Sequence, residues 1–350
     1  MKFSRLFWIH EEKRLPALWR LIIQLIFMSL ISLPLSLLQY VLMTNVVNPG
    51  AGTILGLNLY SALANFAFIV GSIWLTGRLF GRRKFANFGV HFSRDWWIDL
   101  GFGALLGACL MALIFLVEYA FGWITITETF QMGSAPFPFI VGLLLALVHF
   151  ISVGIYEEFL SRGFHLKNLA EGFNAFKRIN PEIAIVISML LSSTVFGLLH
   201  AGNPNATLMS TFNIILAGIF LAAGYVLTGE LAIPIGIHIT WNFFQGNVFG
   251  FPVSGTDAGA TMVAIQQEGP TILTGGRFGP EAGLIGILAI FLGIALIWWY
   301  VKLRYGKALL WEKLTVPAFL PKHKAKLDAA AAKAITMKEA PAIEEIVIEE

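Results

Sequence analysis

Three short motifs carry the side chains that could hydrolyse a peptide bond. "EEFLSR" holds Glu157, Glu158 and Arg162; "FGLLH" holds Phe196 and His200; "HITWN" holds His238 and Asn242. Glu158 and Arg162 are four residues apart, so a helix sets them on one face where they can pair. Glu157 then points about 100° away and is free to face elsewhere. A carboxylate in low-dielectric surroundings holds its proton more tightly, which suits a general base. His238 and Asn242 share a helix face by the same spacing. A carboxylate and a histidine can activate a water, while a second histidine and an amide can donate to the developing oxyanion. Taken singly, each motif also has a plainer reading: an interfacial salt bridge, a helix-end histidine bonded to a loop, or helix–helix glue.

The elements that must position these groups are membrane helices. Of 350 residues, 57% are hydrophobic and 13% charged, with a mean hydropathy of +0.75. A soluble domain carries about 25% charged residues. Residues 21–77, 100–117, 183–229 and 231–256 contain no Asp, Glu, Lys or Arg. Each run reaches the ~18 apolar residues that a membrane span needs. The fold class is therefore all-α and polytopic, a multi-pass cell-membrane protein. Eight helices are expected, near 18–43, 53–77, 96–121, 139–170, 181–200, 206–228, 231–249 and 282–303. Asn48-Pro49-Gly50, Gly81-Arg82-Arg83-Lys84, Pro136/Pro138, Asn180-Pro181, Asn203-Pro204-Asn205 and Thr228-Gly229-Glu230 punctuate them. Ionisable groups inside such helices cost about 2.5–3.5 kcal/mol each, so they default to a functional reading.

With eight spans, alternate loops collect 5, 5, 4 and 9 basic residues (1–20, 78–94, 162–178 and 302–338), leaving only Arg277 on the other side. The positive-inside rule then puts both termini in the cytoplasm. No basic stripe with interleaved aromatics suggests nucleic acid. The lone Cys109 excludes a disulfide framework and reads as a small core residue.

EExxxR, FxxxH and HxxxN, in this order on successive apolar helices, resemble the motifs of the CPBP family. These are intramembrane proteases related to the type II CAAX prenyl endopeptidases and the bacterial Abi immunity proteins. The resemblance covers residues 139–250, about a third of the chain. It implies an eight-helix fold with cytoplasmic termini. By motif position, Glu157 would be the essential base with His200 beside it on the water. His238 and Asn242 would stabilise the oxyanion, and Glu158, Arg162 and Phe196 would support.

Family members are described as metalloproteases and also as glutamate-dependent proteases. Glu157, His200 and His238 could form a His₂Glu zinc site with one open position. Such a site needs its own base, and Glu158 is expected to be tied to Arg162. Asn242 is a poor zinc ligand and a good oxyanion donor. Metal-free water activation is the favoured reading, with a divalent metal such as zinc as the alternative cofactor.

The organisation expected is a cytoplasmic N-terminus (1–17), three helices with their loops (18–138), a catalytic core (139–250), a Gly-rich extracytoplasmic loop (251–281), a last helix with its basic flank (282–313), and a flexible cytoplasmic tail (314–350) with room for a short helix. No catalytic role is read into Asp257, Glu268 or Glu281, and Glu118 and His149 read as structural. Helix heights agree only if the hairpin of the fourth and fifth helices projects beyond the turn between the sixth and seventh. A cytoplasm-facing cavity is expected. The function expected is endopeptidase cleavage of a membrane-associated peptide or protein substrate within the lipid bilayer. The alternative is a non-catalytic immunity factor or transporter whose polar cluster binds an ion or a partner. An enzyme requires Glu157, His200 and His238 to converge within ~4–8 Å of one point around a water-accessible cavity.

Overall fold

The computed structural model describes residues 7–45, 50–133 and 136–344, with side chains as far as residue 332. Lys2, Arg5, the Asn48-Pro49 turn and the acidic end of the tail lie outside the described residues. Eight helices stand at the expected places: α1 (Ala17–Asn45), α2 (Ala51–Leu79), α3 (Arg94–Ala120), α4 (Phe139–Asn174), α5 (Pro181–His200), α6 (Leu208–Thr228), α7 (Ala232–Phe243) and α8 (Leu284–Tyr305). Among the described residues, seven of them are long and apolar enough to cross a membrane; α7 is the exception. The protein is thus a multi-pass, predominantly helical membrane protein.

Local chemistry starts and stops these helices. Asn180 caps α5 by accepting from Ile183 N–H, with Pro181 at the first helical position. Thr207 and Ser210 form a capping box at α6. Gly229 ends α6 at φ +75°, where a Cβ would stand 2.6 Å from Trp311 Cδ1.

The short α7 is the centre of the bundle. Continued by a π turn (Phe244–Val248), it buries Ile233, Ile235, Ile237, His238 and Trp241. It can lie this deep because α3 meets it with glycines. A Cβ on Gly103 would stand 2.3 Å from Ile233 O, and one on Gly107 2.4 Å from Thr240 Oγ1. This small-xxx-small pair lets two backbones touch. Gly154 does the same for α4, where a Cβ would stand 2.6 Å from Ile239 Cγ1.

The loops sort into two ends. At one end the four basic segments meet. Arg14, Arg20 and Arg83 reach Glu171 Oε2 at 2.9, 3.1 and 2.7 Å, and Lys167 lies 3.7 Å from its other oxygen. Lys167 also donates to Leu314 O, Leu320 N–H to Arg82 O, and Arg304 to Asp95. At the other end, β1 (Ile124–Met132) pairs antiparallel with β2 (Ala260–Gln267). There Asn203 and Asn205 donate to Ser254 O and Gly255 O. The ribbon was not expected in an all-α chain, although "ITITETF" is β-branched at five of its seven positions.

A Cβ on Gly163 would stand 3.2 Å from Leu231 Cδ1, so the start of α7 is level with a point about two thirds along α4. From there α4 runs on to Asn174, about 16 Å further at 1.5 Å per residue. The α4–α5 hairpin therefore projects past the α6–α7 turn, as the helix heights require. Leu314 and Thr315 are buried, and α9 spans Pro321–Glu344, favoured by its Ala-rich run. Cys109 is exposed rather than packed in the core.

Candidate active site

Glu157 and Glu158 end the regular part of α4, which then widens into a π-helical stretch over Phe159–Leu166. Such widenings free backbone carbonyls and recur at functional sites. Here Ser192 Oγ, from α5, donates to Ser161 O at 2.6 Å. The helix carrying "HITWN" widens in the same way just past Asn242.

The expected ion pair forms: Arg162 Nη1 donates to Glu158 Oε1 at 2.8 Å, while Arg162 Nη2 donates to Gly218 O at 2.9 Å. The side chains are 1% and 0% exposed, so this pair is fully removed from solvent. Phe196 supports it, with the guanidinium 4.5 Å from the ring centroid. The same ring lies 4.6 Å from His200 and 6.2 Å from His238. That contact accounts for an aromatic residue one turn before His200. Glu158 has a further partner that the spacing did not announce: His238 Nδ1 lies 2.8 Å from its Oε1.

Glu157 points the other way. Its Oε2 is buried without a hydrogen-bond partner among the described residues. It faces His238 Nε2 at 3.7 Å and His200 Nε2 at 4.0 Å. The tautomers follow from the other ring nitrogens. His200 Nδ1 sits 2.8 Å from Phe196 O, a pure acceptor, so it carries the proton. His238 Nδ1 likewise donates to Glu158. In its neutral form each imidazole therefore turns an Nε2 lone pair toward Glu157. Asn242 lines the same space, and its amide has no hydrogen-bond partner among the described residues.

These groups line one cavity of ≈ 220 Å³. Its helical walls come from α4 to α8; its remaining wall is Asn203, Val253, Ser254, Thr256 and Glu281. No lining residue belongs to a basic segment, and the space extends toward the Gly-rich loop.

Two residues set aside on sequence line the cavity after all: His149, two turns before Glu157, and Glu281. Spacing on α4 offered a weak signal for the first; nothing local offered one for the second. Glu281 is buried, and its Oε1 accepts from Ser254 N–H and Oγ–H. Burial pushes its carboxyl above the usual range, against the lowering effect of the Ser254 hydrogen bonds. Glu118 accepts from Gln267 on β2. Asp257 and Glu268 are exposed.

By donor type, Glu157, His200 and His238 would suit zinc. Among the described residues, however, no group of three or more His, Cys, Asp or Glu side chains is gathered as a metal site. The 3.7 and 4.0 Å separations leave room for a water bonded to the carboxylate and an imidazole at once.

The cavity, walled by helices apolar enough to span a membrane, holds a carboxylate facing two imidazoles, groups that could activate a water. Residues 138–244, just under a third of the chain, match the family described as type II CAAX prenyl endopeptidase Rce1-like. The resemblance to the CAAX protease family rests on that match, which contains all three motifs and points to CAAX-type proteolysis. No curated protein and no solved structure matches the chain.

Proposed function

We propose that the protein is an intramembrane endopeptidase in which Glu157 activates a water against a membrane-associated peptide. The observation that carries this reading is the buried Glu157 Oε2 between two imidazole lone pairs. Three acceptors facing one another call for a donor between them, and water supplies two protons. One goes to Glu157 and one hydrogen-bonds to His200 Nε2, which aims the oxygen lone pair at the scissile carbonyl.

Attack forms the C–O bond and moves the carbonyl π pair onto oxygen. Glu157 takes the water proton and passes it to His238 Nε2. The Glu158 carboxylate at Nδ1 stabilises the resulting imidazolium, and Arg162 holds that carboxylate in place. His238 Nε2–H and the Asn242 amide then donate to the oxyanion. Collapse breaks the C–N bond, and the stored proton goes to the leaving amine. The products are a carboxylic acid and an amine, with the side chains restored. If a divalent cation is resident, Glu157, His200 and His238 would hold it, and it would polarise water or carbonyl.

The test compares wild type with Glu157→Gln for a cleaved membrane peptide, with and without a chelator. Loss of product in the variant is expected, and the chelator arm reads metal dependence. Cleavage that persists in Glu157→Gln refutes the mechanism.

A further inference from the structure

We propose that Glu281 is a positioning residue of the hydrolytic site: with Ser254 and Asn203 it forms a clamp that fixes the end of α5 and so holds the His200 imidazole on the water. This deepens the proteolytic reading and rests on it.

The need for a clamp follows from where His200 stands. It is the last residue of α5. The last carbonyls of a helix have no partner within it, so a helix end frays unless something outside holds it. The His200 ring is oriented by its own helix, through Nδ1 and Phe196 O at 2.8 Å. The ring therefore goes where the end of α5 goes, and its Nε2 must stay near the 4.0 Å that separates it from Glu157. A misplacement of about 1 Å at a reacting centre costs ~100-fold in rate.

The hold is built in three steps. His200 O accepts from Asn203 N–H at 3.1 Å, which ties the following turn to the histidine itself. Asn203 Nδ2 donates to Ser254 O at 3.0 Å. Ser254 N–H and Oγ–H both donate to Glu281 Oε1, at 2.5 and 2.8 Å. A second strut runs beside the first: Asn205 donates to Gly255 O, and Gly255 N–H to Phe278 O. The fit leaves no play, since a Cβ on Gly255 would stand 1.8 Å from Pro204 O.

Two features separate this clamp from an ordinary loop contact. Ser254 holds φ +47°. A non-glycine residue in the left-handed region is strained, and it persists only where its surroundings over-determine it. The second feature is the choice of an acid. Glu281 is buried, and the groups acting on its charge are Ser254, Gln245 and His200 rather than a Lys or Arg. A buried acid with no cation beside it is costly. This one is kept in the wall of the cavity that also holds Glu157, His200 and Asn203.

The test uses the full-length protein in detergent micelles, with isotope-labelled histidine and a quenched apolar peptide. Glu281→Leu removes the acceptor of both Ser254 donors. Asn203→Ala cuts the same clamp at its other end, on a half-buried turn. Each should lower kcat about 10- to 100-fold while KM changes less than about twofold, because His200 acts on the water. The double variant should be no slower than the slower single, since both cut one chain of contacts. Glu281→Gln keeps an oxygen for Ser254 and should recover most of the activity. The His200 ring-nitrogen signal, assigned by its absence in His200→Gln, should report the Nδ1–H tautomer in wild type and Glu281→Gln. It should shift or broaden in Glu281→Leu and Asn203→Ala, while the His238 signal stays. A His200 signal unchanged in both clamp variants overturns the proposal. So does wild-type kcat in Asn203→Ala, or losses that multiply in the double variant. If Glu281→Leu does not fold, Asn203→Ala alone decides. The spectra do not depend on cleavage, so Glu157→Gln tests hydrolysis separately.

Discussion

Arg162 and Glu158 offer a direct measurement of how the site is held. Both side chains are at most 1% exposed, and Glu158 Oε1 is shared between Arg162 Nη1 and His238 Nδ1 at 2.8 Å each. Removing one partner of such a pair leaves an uncompensated buried charge and costs about 3–5 kcal/mol. Arg162→Met should therefore lower the folding equilibrium at least ~100-fold, since each 1.4 kcal/mol is a factor of ten. Glu158→Gln retains the oxygen that accepts from both donors but strands the guanidinium. It should fall in the same range, eased by the surviving bond to Gly218 O. The double variant removes both charges and leaves nothing stranded. It should lie within about 2 kcal/mol of wild type, because a buried pair contributes little net stability against neutral residues of similar volume. The assay is unfolding in detergent micelles for all four proteins, read as a double-mutant cycle. The double variant should regain stability without regaining cleavage, since His238 has lost its charged partner. If its destabilisation equals the sum of the singles, Glu158 and Arg162 do not act as a pair and the reading of the EExxxR motif fails.

Gly107→Leu should displace α7, because a Cβ there meets Thr240 Oγ1 and Ile237 O at 2.4 and 2.6 Å; overpacking of about 1–3 kcal/mol and loss of cleavage are expected. Gly101→Leu, on the same helix with nothing within 4 Å, is the control and should keep full activity. Glu281 has a carboxyl raised by burial, so its folded state binds the proton more tightly than the unfolded chain. Its stabilisation is complete below the ordinary carboxyl range and is lost as pH rises through the raised value. Glu281→Gln should flatten that decline in a thermal-stability titration, and an unchanged slope would refute the assignment.

The helices were legible because each is a charge-free apolar run bounded by Asn, Pro and Gly. The EExxxR face and the His238–Asn242 face were legible because an α-helix repeats every 3.6 residues. The Glu158–His238 bond was not, since it joins residues 80 apart and depends on Gly154 letting α4 and α7 touch. The π widening after Glu158 has no periodic signature either. Glu281 was hidden because its partner Ser254 lies across a Gly-rich connector whose path local pattern does not specify.

The Glu171 hub bears on how the chain is made. Arg14, Arg20 and Arg83 leave the ribosome before Glu171, so through the first half of synthesis they lack the carboxylate that later joins them. Until α4 arrives they can only act as topological anchors that resist translocation. The late carboxylate then turns three separate retention signals into one knot, and the opening helices become locked only after the fourth has been inserted.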